Sequence, residues 1–273
     1  MDAPAGTDPA PSEELAGRLG DVSVELGPDG VATVEIHRPP ANFFDVALIR
    51  SLAEAYDRLS AGDTRAIVLC AEGRHFCAGA DFSGASTAEY VDTGQAASLY
   101  AEGARLFEVA VPVVAAVQGA AIGGGLGLAC SADFRVASVE SRFSANFARL
   151  GFHHGFGLSI TLPDIVGGQR AAELLYTGRR IGGEAAAAIG LADRLVPSER
   201  IREEAHVLAA EIAGSAPLAV RSIKATLRGN LADRIREVTP REDREQARLR
   251  VTEDFAEGVA ASAERREPRF HGR

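Results

Sequence analysis

The chain is expected to fold as an α/β protein on a largely parallel sheet, and three stretches predict it. Val31-Ala-Thr-Val-Glu-Ile36, a helical recurrence at Leu48, Ile49, Leu52, Tyr56 and Leu59, and Ala66-Ile-Val-Leu-Cys70 follow one another as strand, helix and strand. That order calls for a right-handed crossover between parallel strands. The apolar run Val113-Val-Ala-Ala-Val117, entered through Pro112, gives way to Gly119-Ala-Ala-Ile-Gly123-Gly-Gly125-Leu-Gly127-Leu-Ala-Cys130. The run has the length and β-branching of a buried strand, and the glycines interrupt it before helix formers take over. From Leu158 onward the periodicity is helical almost throughout.

In chain order, residues 1–20 carry Pro4, Pro9 and Pro11 among Ala, Asp and Glu and are expected to form a loose tail. Val22–Leu26 and Val31–Ile36 alternate around Gly27-Pro-Asp-Gly30, a hairpin signal. Asp45 is placed to cap the first helix, which should break near Gly62. Gly73-Arg-His-Phe-Cys-Ala-Gly79-Ala-Asp81 reads as a loop of small residues, and Phe82 to Thr93 as a flexible wall. A helix from about Gln95 to Val109 leads into the Val113 strand, and Asp133–Ala137 forms another strand. Ser141–Gly157 is aromatic, glycine-punctuated and expected to be an irregular binding wall. Helices follow over 158–166, 169–177, 183–189 and 198–213. The tail past Ala216 is periodic without strand signals and should pack across another surface, such as a neighbouring subunit. The domain reading is a tail over 1–20, a core over 21–200 and a helical oligomerisation region over 201–273.

The 273 residues, 46% of them hydrophobic, suffice for a full core. There is no apolar run of membrane-spanning length and no basic-then-apolar leader, so a cytoplasmic protein without membrane attachment is expected. Cys70, Cys77 and Cys130 are odd in number and lack C-x-x-C spacing, which implies reduced thiols. A formal charge of −9 argues against nucleic acid as a partner.

The glycine stretch carries the chemistry. A sharp turn lets a ligand approach the backbone, and the first amides of a helix have no internal partner and favour developing negative charge. The stretch is not a dinucleotide fingerprint, because Cys130 stands where the third glycine of G-x-G-x-x-G belongs. It is not a P-loop either, since the only lysine in the chain is Lys224.

The order of these features resembles the crotonase family of enoyl-CoA hydratases and isomerases, from about Val22 to Phe270. Ala66-Ile-Val-Leu through Phe76-Cys-Ala-Gly-Ala-Asp81 looks like the family's first oxyanion loop, and Pro112–Gly119 with Gly123-Gly-Gly125 like its second. Ala172-Glu-Leu-Leu-Tyr-Thr-Gly178, Glu257-Gly-Val-Ala-Ala261 and Glu264-Arg-Arg-Glu-Pro268 are similar to the later helices. The resemblance implies a spiral of ββα units with a C-terminal helical trimerisation region, assembled as a homotrimer or dimer of trimers. It also implies an acyl-CoA thioester substrate whose carbonyl oxygen is held by the backbone amides of Ala80 and Gly124. Coenzyme A would arrive as part of that substrate, with no separate cofactor and no metal. Arg38, Ala78, Asp81 and Arg266 are the implied contacts to the coenzyme, with Arg74 and Arg265 as further phosphate candidates, and Asn42-Phe-Phe44 would border the pantetheine channel.

The pattern departs at the two glutamates that family hydratases use as acid and base, which fall on Gly127 and Phe147, and the dehalogenase nucleophile falls on Gly155. His153, His154 and Arg149 remain as titratable candidates, and the resemblance puts His154 where some decarboxylating relatives present a catalytic side chain, so that an imidazole there could shuttle a proton at neutral pH. Phe147, Phe152 and Phe156 favour an apolar acyl group. The readings left open are an enzyme that isomerises, hydrates, cleaves or decarboxylates its thioester, a catalytically idle acyl-CoA-binding protein, and a structural oligomer with no ligand.

Overall fold

The computed structural model describes residues 16–82 and 93–273. Among these residues ten strands run in chain order: β1 Gly17–Leu19, β2 Val22–Leu26, β3 Val31–Ile36, β4 Ala66–Ala71, β5 Val113–Val117, β6 Ala120–Ile122, β7 Phe134–Ala137, β8 Arg142–Ser144, β9 Arg180–Gly182 and β10 Arg194–Leu195. The α-helices are α1 Val46–Ala61, α2 Thr93–Arg105, α3 Gly124–Ser131, α4 Leu158–Val166, α5 Gly168–Thr177, α6 Gly183–Ala188, α7 Ile201–Ala213, α8 Pro217–Arg228, α9 Leu231–Arg250 and α10 Glu253–Glu264. The main sheet has the order β1-β2-β3-β4-β5-β7-β10, antiparallel at β1-β2-β3 and parallel from β3 onward. The remaining strands make a second sheet in the order β6-β8-β9.

Both faces of the parallel strands are covered, which is why β4 reads as an unbroken apolar run. Ile67 and Leu69 point to the larger core with the α1 residues Leu48, Ile49, Leu52, Tyr56 and Leu59. Ala66, Val68 and Cys70 point the other way, to a core shared with Ile201, Ala205, Leu208 and Ala209 of α7. A division at residue 200 therefore runs through a hydrophobic core, with α7 packed on β4, β5 and β7. Asp45 caps α1 as expected, accepting from the Leu48 amide at 2.9 Å.

Several expectations change. The loose tail anticipated over 1–20 lies outside the described residues up to residue 15, and beyond that Gly17–Leu19 pairs with β2. Most of the wall anticipated from Phe82 to Thr93 also lies outside the described residues. The Ser141–Gly157 segment is more regular than expected, containing β8 and a 3-10 helix at Asn146–Leu150. The C-terminal helices fold back on their own chain. Helix α9 packs on α2 and α4, α10 packs on the Asn146–Leu150 turn, and Phe255 lies in the main core. Among the described residues no helix is long and apolar enough to cross a membrane.

Candidate functional site

Two backbone segments meet at the mouth of α3. The first, Phe76–Gly79, runs alongside the end of β5 and β6: the Phe76 amide donates to Gln118 O at 2.8 Å, Cys77 N to Ala120 O at 2.9 Å, and Ile122 N returns to Cys77 O at 3.0 Å. The second is the glycine turn, where Gly123 takes a left-handed φ of 56° and Gly124 opens α3. A methyl group placed on Gly79 would lie 2.8 Å from Ile122 O and 3.8 Å from Gly124 N, so the two segments touch. Ala80 follows that contact directly. Neither the Ala80 amide nor the Gly124 amide donates to another described residue, and both line the same cavity. Gly124 is one of the first residues of a helix, where backbone N–H groups have no partner within the helix.

The cavity encloses about 1510 Å³. Its lining includes Arg74, Arg142, Arg180 and Arg202, the last of them paired with Glu35. Beside the glycine turn its wall is aromatic: Phe44, Phe82, Phe147, Phe152 and Phe156. These rings brace one another, Phe147 against Phe152 at 5.4 Å and Phe44 against Phe156 at 5.5 Å between centroids. Phe156 holds a left-handed φ of 60°, rare for a bulky residue. That backbone places its ring on Gly127, where an added Cβ would come within 2.8 Å of it. The space into which a side chain at 127 would begin to grow is thus filled by Phe156. The carboxylates on the cavity wall, among the described residues, are Asp45, Asp81, Glu140 and Glu199.

The sequence profile of the family described as Enoyl-CoA hydratase/isomerase matches residues 27–273. The chain belongs to this family. It is 35% identical over 262 residues to an enoyl-CoA isomerase/hydratase of Zymoseptoria tritici, covering 89% of this chain and 84% of that one. It is 33% identical over 249 residues to a carnitinyl-CoA dehydratase of Proteus mirabilis, covering 89% of this chain and 95% of the relative. A solved enoyl-CoA hydratase/isomerase of Pseudoalteromonas atlantica superposes with a TM-score of 0.80 at 29% identity, over 92% of this chain and all of the other. The α/β architecture is accordingly the crotonase fold.

Against this crotonase frame the residues singled out from the sequence divide. Ala78, Ala80, Asp81 and Gly124 line the cavity, as do Phe43, Phe44, Phe147, Phe152, Phe156 and Arg74. Ala78 contributes only as wall, because its amide already donates to Ala41 O at 2.9 Å. Arg38 is not on the cavity wall. It is fixed between Asp21, at 2.6 Å, and Asp45, at 2.9 Å. Arg266 is turned away as well, pinned by Glu257 and Glu264. Arg149 pairs with Glu267, and Arg265 does not reach the cavity.

His153 and His154 are not among the lining residues either. Their rings stack at 4.1 Å, and the His154 Nε2 lies 2.8 Å from Ser159 Oγ. Ser159 Oγ in turn donates to the buried Glu242 at 2.6 Å, and that carboxyl also accepts from the Gly157 and Ser159 amides. Burial, with a smaller contribution from the His153 charge, pushes the His154 pKa down to about 4 and keeps the ring neutral. The chain His154–Ser159–Glu242 fastens α9 to the first turn of α4.

Arg142, Arg180 and Arg202, together with Tyr100, Gln246 and Arg250, are among the cavity residues that sequence reasoning missed. A lone Arg on a helix of alternating charges carries no signal of its own. Only the fold-back of α9 onto α2 brings Gln246 and Arg250 beside Tyr100. Among the described residues no three His, Cys, Asp or Glu side chains are grouped to hold a metal ion.

Proposed function

We propose that this crotonase binds an acyl-CoA thioester along the cavity and stabilises its enolate between the amides of Ala80 and Gly124. The observation that carries the reading is that two amides 44 positions apart in sequence border one cavity, at the point where their segments touch, with neither spent on another described residue. A thioester oxygen that gains charge as the α-proton or α-substituent leaves would find two donors, with the α3 dipole behind Gly124 adding a fixed positive end. The low-dielectric phenylalanine wall strengthens both.

The coenzyme's phosphates suit the arginines of the lining, where Arg74, Arg142 and Arg180 supply guanidinium groups that match phosphate geometry. With Gly127 and Phe147 at the two positions that carry glutamates in family hydratases, the enzyme acts without that carboxylate pair. The aromatic wall favours a compact or aromatic acyl group. The chain is read as a homotrimer or dimer of trimers.

Ala80→Pro removes one oxyanion donor, the backbone N–H, without removing a polar side chain. It is expected to lower kcat by about 10²–10³-fold on whichever of an enoyl-, β-hydroxyacyl- and malonyl-CoA panel turns over, with CoA affinity retained. Wild-type activity surviving in a folded Ala80→Pro protein would remove the proposed oxyanion hole. Saturable CoA-thioester binding by calorimetry without turnover anywhere in the panel would instead identify a binding protein.

A further inference from the structure

A carboxamide stands among the rings beside the glycine turn. Asn146, the residue before Phe147, lines the cavity. A methyl group placed on Gly123 would lie 3.1 Å from Asn146 Oδ1 and 3.8 Å from the tip of the Phe147 ring. Both side chains therefore rest on the residue that precedes the Gly124 amide. The local backbone holds them there. Strands β6 and β8 pair in parallel with Ile122 opposite Ser144, and the Gly123 amide donates to Ser144 O at 2.8 Å. Two residues on, Asn146 opens the 3-10 turn, and its Cα lies 3.3 Å from where a Cβ on Gly178 would stand. Ser144 Oγ donates to Gly178 O at 2.9 Å, so Asn146 is clamped between the glycine turn and Gly178.

A primary amide has one acceptor oxygen and two N–H donors. With Oδ1 against Gly123, the Asn146 Nδ2 carries two hydrogens that no described residue accepts. The side chains packed on the same helix mouth are hydrocarbon: Phe44 on Gly124, Phe147 on Gly123 and Phe156 on Gly127. A saturated acyl chain lying among them would strip water from the Asn146 donors and give nothing back, which is unfavourable. With the thioester oxygen on the Gly124 amide, the first acyl atoms to come beside Gly123 and Asn146 are the α- and β-carbons. The α-carbon loses a proton or substituent as the enolate forms, so a lasting acceptor for Asn146 belongs on the β-carbon. A carboxamide neither takes nor gives a proton at neutral pH, and its part is to bind and orient.

We propose that Asn146 is the acyl-recognition residue, its Nδ2 donating to a hydroxyl or carbonyl oxygen on the β-carbon, so that β-oxygenated thioesters are preferred over saturated ones. The inference rests on the acyl-CoA reading above and narrows it.

The test is calorimetric binding of acetoacetyl-CoA and of both enantiomers of β-hydroxybutyryl-CoA against butyryl-CoA, with free CoA as reference. The best β-oxygenated thioester is expected to bind about 3- to 10-fold tighter than butyryl-CoA, the range of one neutral hydrogen bond. Asn146→Leu should erase that preference while free CoA and butyryl-CoA bind as before, a selectivity that a merely structural role would not produce. Asn146→Asp keeps the shape but replaces the donors with acceptors, so it should lose the preference for acetoacetyl-CoA, whose ketone can only accept. Equal binding of butyryl-CoA and every β-oxygenated thioester by the wild-type protein would overturn the proposal while the acyl-CoA reading stands, and this arm needs no variant to fold. An acetoacetyl preference that survives Asn146→Leu or Asn146→Asp would overturn the assignment to this residue. Absence of binding by free CoA and by all the thioesters would overturn the acyl-CoA reading and the inference with it.

Discussion

At the scale of single residues, His154 shows how far position and chemistry can separate. The family resemblance puts it where a proton could be shuttled, yet in the folded chain its ring reaches Ser159 and packs edge-on behind Phe147 without itself lining the cavity. His154→Gln and His153→Ala are therefore expected to keep kcat within about twofold, whereas loss of a true general acid or base costs about 10²-fold or more. A fall of that size in a folded variant would restore the proton-shuttle role. The same histidine makes a stability prediction. Above about pH 6.5 it is neutral in both folded and unfolded chains and contributes no pH dependence. Between there and pH 4 the unfolded chain takes up a proton that the buried ring, with its pKa near 4, refuses. Stability is therefore lost as pH falls through that window, by roughly 3 kcal/mol in all, and the loss levels off below it. Denaturant midpoints of wild type and His154→Gln measured from pH 7 to 4 should converge toward acid. Parallel curves would mean that the ring protonates freely in the fold.

At the scale of elements, Asp133 ties α8 to the sheet. Lys224 Nζ reaches its Oδ2 at 2.8 Å and Arg228 Nη2 its Oδ1 at 2.8 Å, while the Val113 amide donates to the same carboxylate. The two cations hold the Asp133 pKa below the ordinary carboxylate range despite its burial. Asp133→Asn would leave Lys224 and Arg228 facing each other without a counter-charge, and is expected to cost about 3–5 kcal/mol, read as a lowered urea midpoint. A change below about 1 kcal/mol would mean that the cluster is solvated and behaves as a surface pair. None of this was visible in a sequence where Asp133 reads as a strand-entry residue. What the sequence did disclose follows a physical division. Long periodic elements such as α1, β4 and β5 were legible because their apolar spacing records which faces are buried. Strands β6, β8 and β9, three residues each, are too short to carry a period, and tertiary pairing alone makes them. In the site, the backbone donors were legible because glycine turns announce themselves. The side chains around the cavity were less so: Arg38 and Arg266 are claimed by acidic neighbours from other segments, and Gln246 enters only because α9 folds back.

At the scale of the whole molecule, α8 turns Lys224 inward and leaves three large aliphatic residues outside: Leu218 and Leu227, each 81% exposed, and Ile223, 57% exposed. Fully burying a side chain of this kind is worth about 1.5–3 kcal/mol, so covering all three would contribute substantially to association. The expected assembly is a homotrimer or a dimer of trimers, which light scattering would read as three or six times the chain mass of 28.6 kDa. Leu218→Glu with Leu227→Glu should shift the population toward monomer, because each subunit would bring two unpaired charges into the contact. A wild-type protein that stays monomeric at high micromolar concentration would contradict this assignment. The cavity supplies an independent check on the relation between assembly and site. This chain's own residues supply the wall described above, including Gln246 and Arg250 from α9 and Val259 and Ser262 from α10. A folded Leu218→Glu/Leu227→Glu monomer should consequently bind a CoA thioester within a few-fold of the assembled protein. If binding disappears with assembly while circular dichroism remains native, the neighbour is needed to hold α9 and α10 over the site, and the fold-back of these helices depends on the oligomer.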